Sequence, residues 1–350
     1  MTADPRLATD IGGVRFANPV WVGASELTMT VEGMVRCAAA GAGAVVAKSV
    51  NESEAARRQL AVADYAFVDD ARRHVDTPRA APDSALLNRS GLGRHDPDAW
   101  VEMLSVARPR MEQHGSVLVG SVVVGDLDAA PGVVRSIGAV TDHVELNVGA
   151  PHGREVRTGA VRQIGSAEQV EQVVRASRAV CPGLLLVKLG DIGPALPGAV
   201  AAARRAGADA VVLVGRSNGF LPDVDTLRPV LGSWGAWSAP SSLPSSLYAV
   251  SKAYRAAPGA PVVGTNGARG GDDVFRFLLS GAVACELVTS VWLEGPGAIG
   301  RTIGELSARL DRTGVAAVPD AVGVAVSHAR EYDEIDPVPG APEAWERWTR

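Results

Sequence analysis

Short apolar runs alternate with longer amphipathic stretches along most of this chain. The runs at 20–23, 44–48, 117–122, 143–148, 184–188, 210–214, 261–264 and 284–287 are apolar nearly throughout, as strands buried on both faces must be. Between and after them, apolar residues recur at helical spacing near 31–40, 97–113, 127–138, 167–180, 196–206, 243–257, 271–280 and 297–312. A strand followed by a helix, repeated, predicts parallel strands joined by crossover helices. Eight such units are the count of a (β/α)8 TIM barrel, an α/β fold whose active site lies at the C-terminal ends of the strands.

The helix ends repeat a phrase. Ala40-Gly41-Ala42 precedes the second strand, Ala206-Gly207-Ala208 the sixth and Ser280-Gly281-Ala282 the eighth. Each puts Gly where a helix C-cap needs the left-handed conformation. A doubly wound open sheet shares the rhythm but has no need of eight units, and no Gly-x-Gly-x-x-Gly follows the first run.

Two parts fall outside the rhythm. Residues 7–17 hold a Gly12-Gly13 turn between short apolar strands and predict a hairpin over the barrel's N-terminal end. Residues 313–350 turn Pro-rich and charged after a short apolar stretch, which predicts a terminal helix and a loosely held tail. One domain, 1–350, with its barrel core at about 14–312, accommodates all of this. Segments 52–96 and 215–242 are long, and both follow strand C-termini, so they read as functional lids or disordered loops on the active-site face.

Composition narrows the classes without choosing among enzymes. The 350 residues are 47% hydrophobic and 21% charged, with a net charge of -5. No basic stripe with interleaved aromatics suggests nucleic acid. No segment holds the ~20 apolar residues of a membrane span, and no signal sequence is visible, so a cytoplasmic protein is expected. Cys37, Cys181 and Cys285 lie far apart among apolar residues and read as buried thiols; no metal site is expected.

Chemistry-bearing residues gather at the strand ends. Lys48 ends the second strand and Lys188 the fifth, each closing an apolar run, which places a cation at the barrel mouth. Glu145-Leu146-Asn147-Val148-Gly149-Ala150-Pro151-His152-Gly153 begins as a strand and ends as a Gly/Pro turn with polar groups, the look of a catalytic loop. His152 is a candidate acid or base because its unperturbed pKa lies near neutrality. Gly264-Thr265-Asn266-Gly267 follows the seventh strand and Thr289-Ser290 the eighth, where barrels often bind phosphate. Outward-facing amides there, and the positive end of the helix at 271–280, suit an anion. Asn266 tolerates a positive φ better than other non-glycine residues.

The 145–153 segment resembles the Glu-Leu-Asn-x-Ser-Cys-Pro-Asn/His motif of dihydroorotate and dihydropyrimidine dehydrogenases, which are FMN enzymes. The similarity extends over about 14–312. It implies FMN as cofactor, with Ala24-Ser25 against the flavin, Lys48 and Lys188 beside the ring, and Asn147 at both ring and substrate. It implies a phosphate site at Gly264, Asn266, Gly267, Thr289 and Ser290. Asn88, in Asn88-Arg89-Ser90-Gly91-Leu92, matches the loop that grips the substrate's polar ring atoms, and Ser217 and Asn218 are further substrate candidates. Such barrels often form homodimers, and this chain lacks the cysteines of the iron–sulfur members.

One departure is chemical. Where the family carries a Cys or Ser that takes the substrate proton, this chain has Ala150, which cannot be a base. The expectation is an FMN oxidoreductase that passes hydride between flavin N5 and a small polar cyclic or enone-type substrate. Specialised metabolism suits it better than standard dihydroorotate oxidation, with His152, Lys48 or water handling the proton. Two alternatives stay open: a flavin-free barrel lyase or isomerase on a phosphorylated metabolite with Lys188 or Lys48 as nucleophile, or a flavin-binding homologue without activity.

Overall fold

A computed structural model describes residues 4–76, 80–148, 164 and 166–336. Its centre is a closed barrel of eight parallel strands. In chain order these are β1 (Val20–Val22), β2 (Ala44–Val46), β3 (Val117–Val123), β4 (His143–Asn147), β5 (Leu185–Lys188), β6 (Ala210–Leu213), β7 (Val262–Thr265) and β8 (Ala282–Leu287). The outer helices are α1 (Val31–Ala39), α2 (Pro97–Glu112), α3 (Ala130–Thr141), α4 (Ala167–Arg178), α5 (Leu196–Arg205), α6 (Leu243–Ala256), α7 (Gly271–Leu279) and α8 (Gly297–Thr313). The expected (β/α)8 architecture holds, each boundary falling within three residues of the sequence reading, as helix and strand ends usually do. Gly41, Gly207 and Gly281 all take the positive φ expected of helix-end glycines.

Side chains alternate across a strand, so each strand feeds two cores. Val144, Leu146, Leu185, Val187, Cys285 and Leu287 point outward and pack under the helices. Trp21, Val46, Val119, Leu186, Val212, Val263 and Ala284 point inward and fill the lower barrel. Ile11 and Phe16 of the N-terminal hairpin (Thr9–Ile11 paired with Val14–Phe16) join that inner cluster, with the Phe16 and Trp21 rings 4.6 Å apart. The hairpin therefore plugs the N-terminal end and leaves the other end open.

The two long segments differ from the loops expected. Tyr65–Val68, His74–Val75 and Ala85–Asn88 from the first, with Ser217–Gly219 and Gly235–Ser238 from the second, form one five-stranded antiparallel sheet. Each strand is short, and the pairing that joins the segments (Asn88 with Ala236, Leu87 with Trp237) is far removed in sequence, so local pattern carries little signal for it. The C-terminal apolar stretch is also not one helix. It is two single turns, Val318–Ala321 and Val324–Ser327, broken where Gly323 takes φ 75°.

Candidate active site

Two residues above the apolar inner layer, the same alternation carries polar side chains. Leu186 gives way to Lys188, Ala284 to Glu286 and Val119 to Ser121, and Glu145 faces inward beside them. Lys188 Nζ lies 2.6 Å from Glu286 Oε2 and 3.2 Å from Glu145 Oε2. Ser121 donates to Glu145 Oε1 at 3.2 Å and is itself bonded to Ser49 at 2.8 Å. Burial and the neighbouring Glu145 carboxylate push Glu286 up to about 8, against the opposing pull of Lys188. Burial alone would lower Lys188; the two carboxylates overcome it and hold the lysine charged. The cluster thus carries one lysine cation, and one of its two carboxyls keeps its proton near neutral pH.

The second lysine makes a separate cluster. Lys48 follows β2 and is buried, yet reaches Glu26 Oε1 at 2.9 Å and Ser90 Oγ at 3.2 Å. Tyr65 OH and Ser90 Oγ donate to the same Glu26 oxygen at 2.8 and 2.6 Å. Burial would raise the Glu26 carboxyl, but Lys48 and the hydroxyl donors bring it down to about 2. The Tyr65 phenol is pushed up by burial and by that carboxylate.

At the far end, Asn266 adopts φ 72° and Gly267 φ 107°. A Cβ at Gly267 would meet the Leu243 backbone at 2.6 Å, so only glycine fits. Thr289 and Ser290 open a short helix, Thr289–Glu294, that has no side-chain cap. Arg269 lines the same end; desolvation lowers its guanidinium to about 10. Two expectations change here. The first amide of α7 donates to Glu305 at 2.7 Å, so that helix end is closed to a ligand. Gly264 does not line the cleft; a Cβ there would lie 2.2 Å from the Phe277 ring, so it serves strand–helix packing.

These groups surround one cleft of about 1250 Å³, its open mouth included. Ala24, Ser25, Lys48, Asn147, Lys188, Asn266, Gly267 and Thr289 all line it, and Ser290 is buried close behind. Asn88 also lines it, but its amide holds the cap: Oδ1 accepts from Arg216 at 2.9 Å and Nδ2 reaches Ala236 O at 3.4 Å. Ser217 and Asn218 lie outside the lining, on a cap strand, with Asn218 exposed; the neighbouring Arg216 lines the cleft instead. Ala150 and His152 fall outside the described residues. Sequence reasoning assigned no role to Glu26, Tyr65, Arg216, Glu145 or Glu286. The last two carried a signal, since each is a carboxylate inside an otherwise apolar strand.

A closed barrel with a polar cleft at the C-terminal rim, ring-end lysines and a glycine turn after β7 defines a mononucleotide-binding barrel enzyme. Residues 6–310 match the family model of dihydroorotate dehydrogenase, and the chain belongs to that family of FMN-dependent oxidoreductases. It is 27% identical over 325 residues to the catalytic subunit of dihydroorotate dehydrogenase B (NAD(+)) of Pyrococcus abyssi, spanning 91% of this chain and 99% of that one. The Methanopyrus kandleri counterpart is 29% identical over 328 residues, with coverages of 92% and 96%. Among solved structures, dihydroorotate dehydrogenase of Eimeria tenella in complex with ferulenol gives a TM-score of 0.74 at 21% identity, covering 94% of this chain and 90% of that one, a likeness of fold. No helix among the described residues is long and apolar enough to cross a membrane.

The residues present fit FMN. Buried polar atoms normally have partners, yet Glu286 Oε1, Asn266 Oδ1 and Arg269 Nε have none among the described residues, and all three residues line the cleft. They sit at its two ends, ring side and phosphate side, as a flavin mononucleotide requires.

Proposed function

We propose that this chain is an FMN-dependent oxidoreductase acting on a small polar cyclic or enone-type substrate, in specialised metabolism rather than standard dihydroorotate oxidation. The observation that carries the reading is the pairing of two buried lysine clusters with the Asn266-Gly267 turn around one cleft. Lys188, Asn147, Ala24 and Ser25 would hold the ring, and Asn266, Gly267, Arg269, Thr289 and Ser290 the phosphate. When bound, FMN supplies hydride exchange at N5.

The protein's own groups do the rest. Lys188 keeps a positive charge under the ring end, where it favours an electron-rich ligand. Tyr65, Asn88 and Ser238 of the cap sheet line the cleft. Ala150 supplies no base, so a proton moves through His152, Lys48 or water. Neither lysine suits a Schiff-base mechanism, because both are ion-paired with carboxylates. That weighs against the flavin-free lyase alternative.

The test is the purified protein itself. Bound FMN released on denaturation, then bleached without oxygen by one member of a panel of dihydropyrimidines, or reduced flavin reoxidised by an enone, supports the reading. Colourless protein that takes up no added FMN refutes it, and bound flavin inert to the whole panel supports the inactive homologue.

A further inference from the structure

Glu26 lies in the seam between barrel and cap. It follows Ser25 after β1, while its donors come from three other places: Lys48 after β2, Tyr65 from one cap strand and Ser90 after another. All four residues line the cleft. The three donors converge on a single oxygen, Oε1, at 2.9, 2.8 and 2.6 Å. No described residue donates to Oε2. An ionised carboxylate can accept at both oxygens, so the carboxylate is fixed in place with half its accepting capacity unused.

The charge balance at this wall follows. Lys48 is the cation that would draw an anionic substrate group, and Glu26 neutralises it. Among the described residues Arg216 is the other cation at this wall, and it donates to Asn88 Oδ1 at 2.9 Å. A carboxylate brought here meets a lysine whose charge is already cancelled, and at Oε2 another acceptor with no proton to share. An N–H group meets an acceptor already aimed and held.

We propose that Glu26 selects the substrate class: Oε2 accepts a hydrogen bond from an N–H or ammonium group of the substrate, and by occupying Lys48 it denies a counter-ion to rings bearing a carboxylate at that position, dihydroorotate included. This rests on the reading above that the cleft is the substrate site.

The experiment compares two planar pyrimidines that differ by one carboxylate, uracil and orotate, binding to the full chain by calorimetry. Wild type binds uracil at least tenfold tighter than orotate. Glu26→Gln, which keeps the shape and removes the charge, shifts that ratio at least tenfold toward orotate. Glu26→Gly, which removes the carboxylate altogether, shifts it further. Thermal melts establish that both variants are folded. Orotate binding to wild type as tightly as uracil, or a ratio unmoved in both folded variants, overturns the proposal. The measurement needs no flavin turnover, so a protein without redox activity would refute the proposed function while leaving this ratio readable.

Discussion

Lys188 on β5 reaches across the barrel to Glu286 on β8, Nζ to Oε2 at 2.6 Å, while holding Glu145 on β4 at 3.2 Å. The three groups are almost wholly buried, so each charge depends on the others for what water would otherwise supply. Removing the lysine strands two carboxyls against each other. Lys188→Met is expected to lose about 3–5 kcal/mol of stability, the usual effect of breaking a buried pair. Lys188→Met combined with Glu286→Gln should recover part of it. Urea unfolding of the two variants checks this; equal losses would show that Glu286 does not depend on Lys188.

Glu286 also sets a pH dependence. Its folded pKa is raised from the ordinary 4.5 to about 8. Between those values the folded protein holds a proton that the unfolded chain has released, so stability falls as pH rises through the window. The contribution is complete below 4.5 and lost above about 8. Glu26 runs the other way: lowered to about 2, it adds stability above 4.5 that disappears as pH falls. Unfolding free energies should therefore show wild type losing stability relative to Glu286→Gln between pH 5 and 8, with the difference level beyond. A difference that grows in favour of wild type over that range would contradict the assignment.

Gly264 tests packing apart from chemistry. A Cβ there meets Phe277 at 2.2 Å, and Phe277 is fully buried between α7 and the barrel. Gly264→Ala should destabilise by about 1–3 kcal/mol, as overpacking usually does. Because Gly264 stays outside the cleft, the FMN content of the folded fraction should not change. Loss of flavin without loss of stability would return Gly264 to the phosphate site.

How much of this was legible in the chain depends on distance. The eight strands and helices were, because period and glycine helix ends are local signals that agree with the closed fold. Lys48 and Lys188 stood out as cations ending apolar runs. Their partners did not: Glu26 and Lys48 are 22 residues apart, and Glu286 and Lys188 are 98. Pairing of neighbouring strands joins the first pair and closure of the barrel the second. The cap sheet was hidden for the same reason, since its strands pair across two separate segments. Gly264 is ambiguous in the same way, because a strand glycine serving a helix's Phe277 looks the same, in sequence, as one serving a ligand.

On the function proposed above, two independent obstacles would separate this chain from dihydroorotate oxidation. One is Ala150, which stands in the motif where a proton acceptor is worth about 10²–10⁴ in rate. The other, on the inference above, is Glu26, which cancels the Lys48 cation and presents an acceptor where a carboxylate needs a donor. Restoring either group alone leaves the other barrier standing. Ala150→Cys by itself should yield no measurable orotate from dihydroorotate, and Glu26→Gly by itself should bind orotate without producing it. The double variant should do both, seen as anaerobic orotate formation in step with loss of flavin colour. Orotate formation by Ala150→Cys alone would show that Glu26 does not stand in the substrate's way.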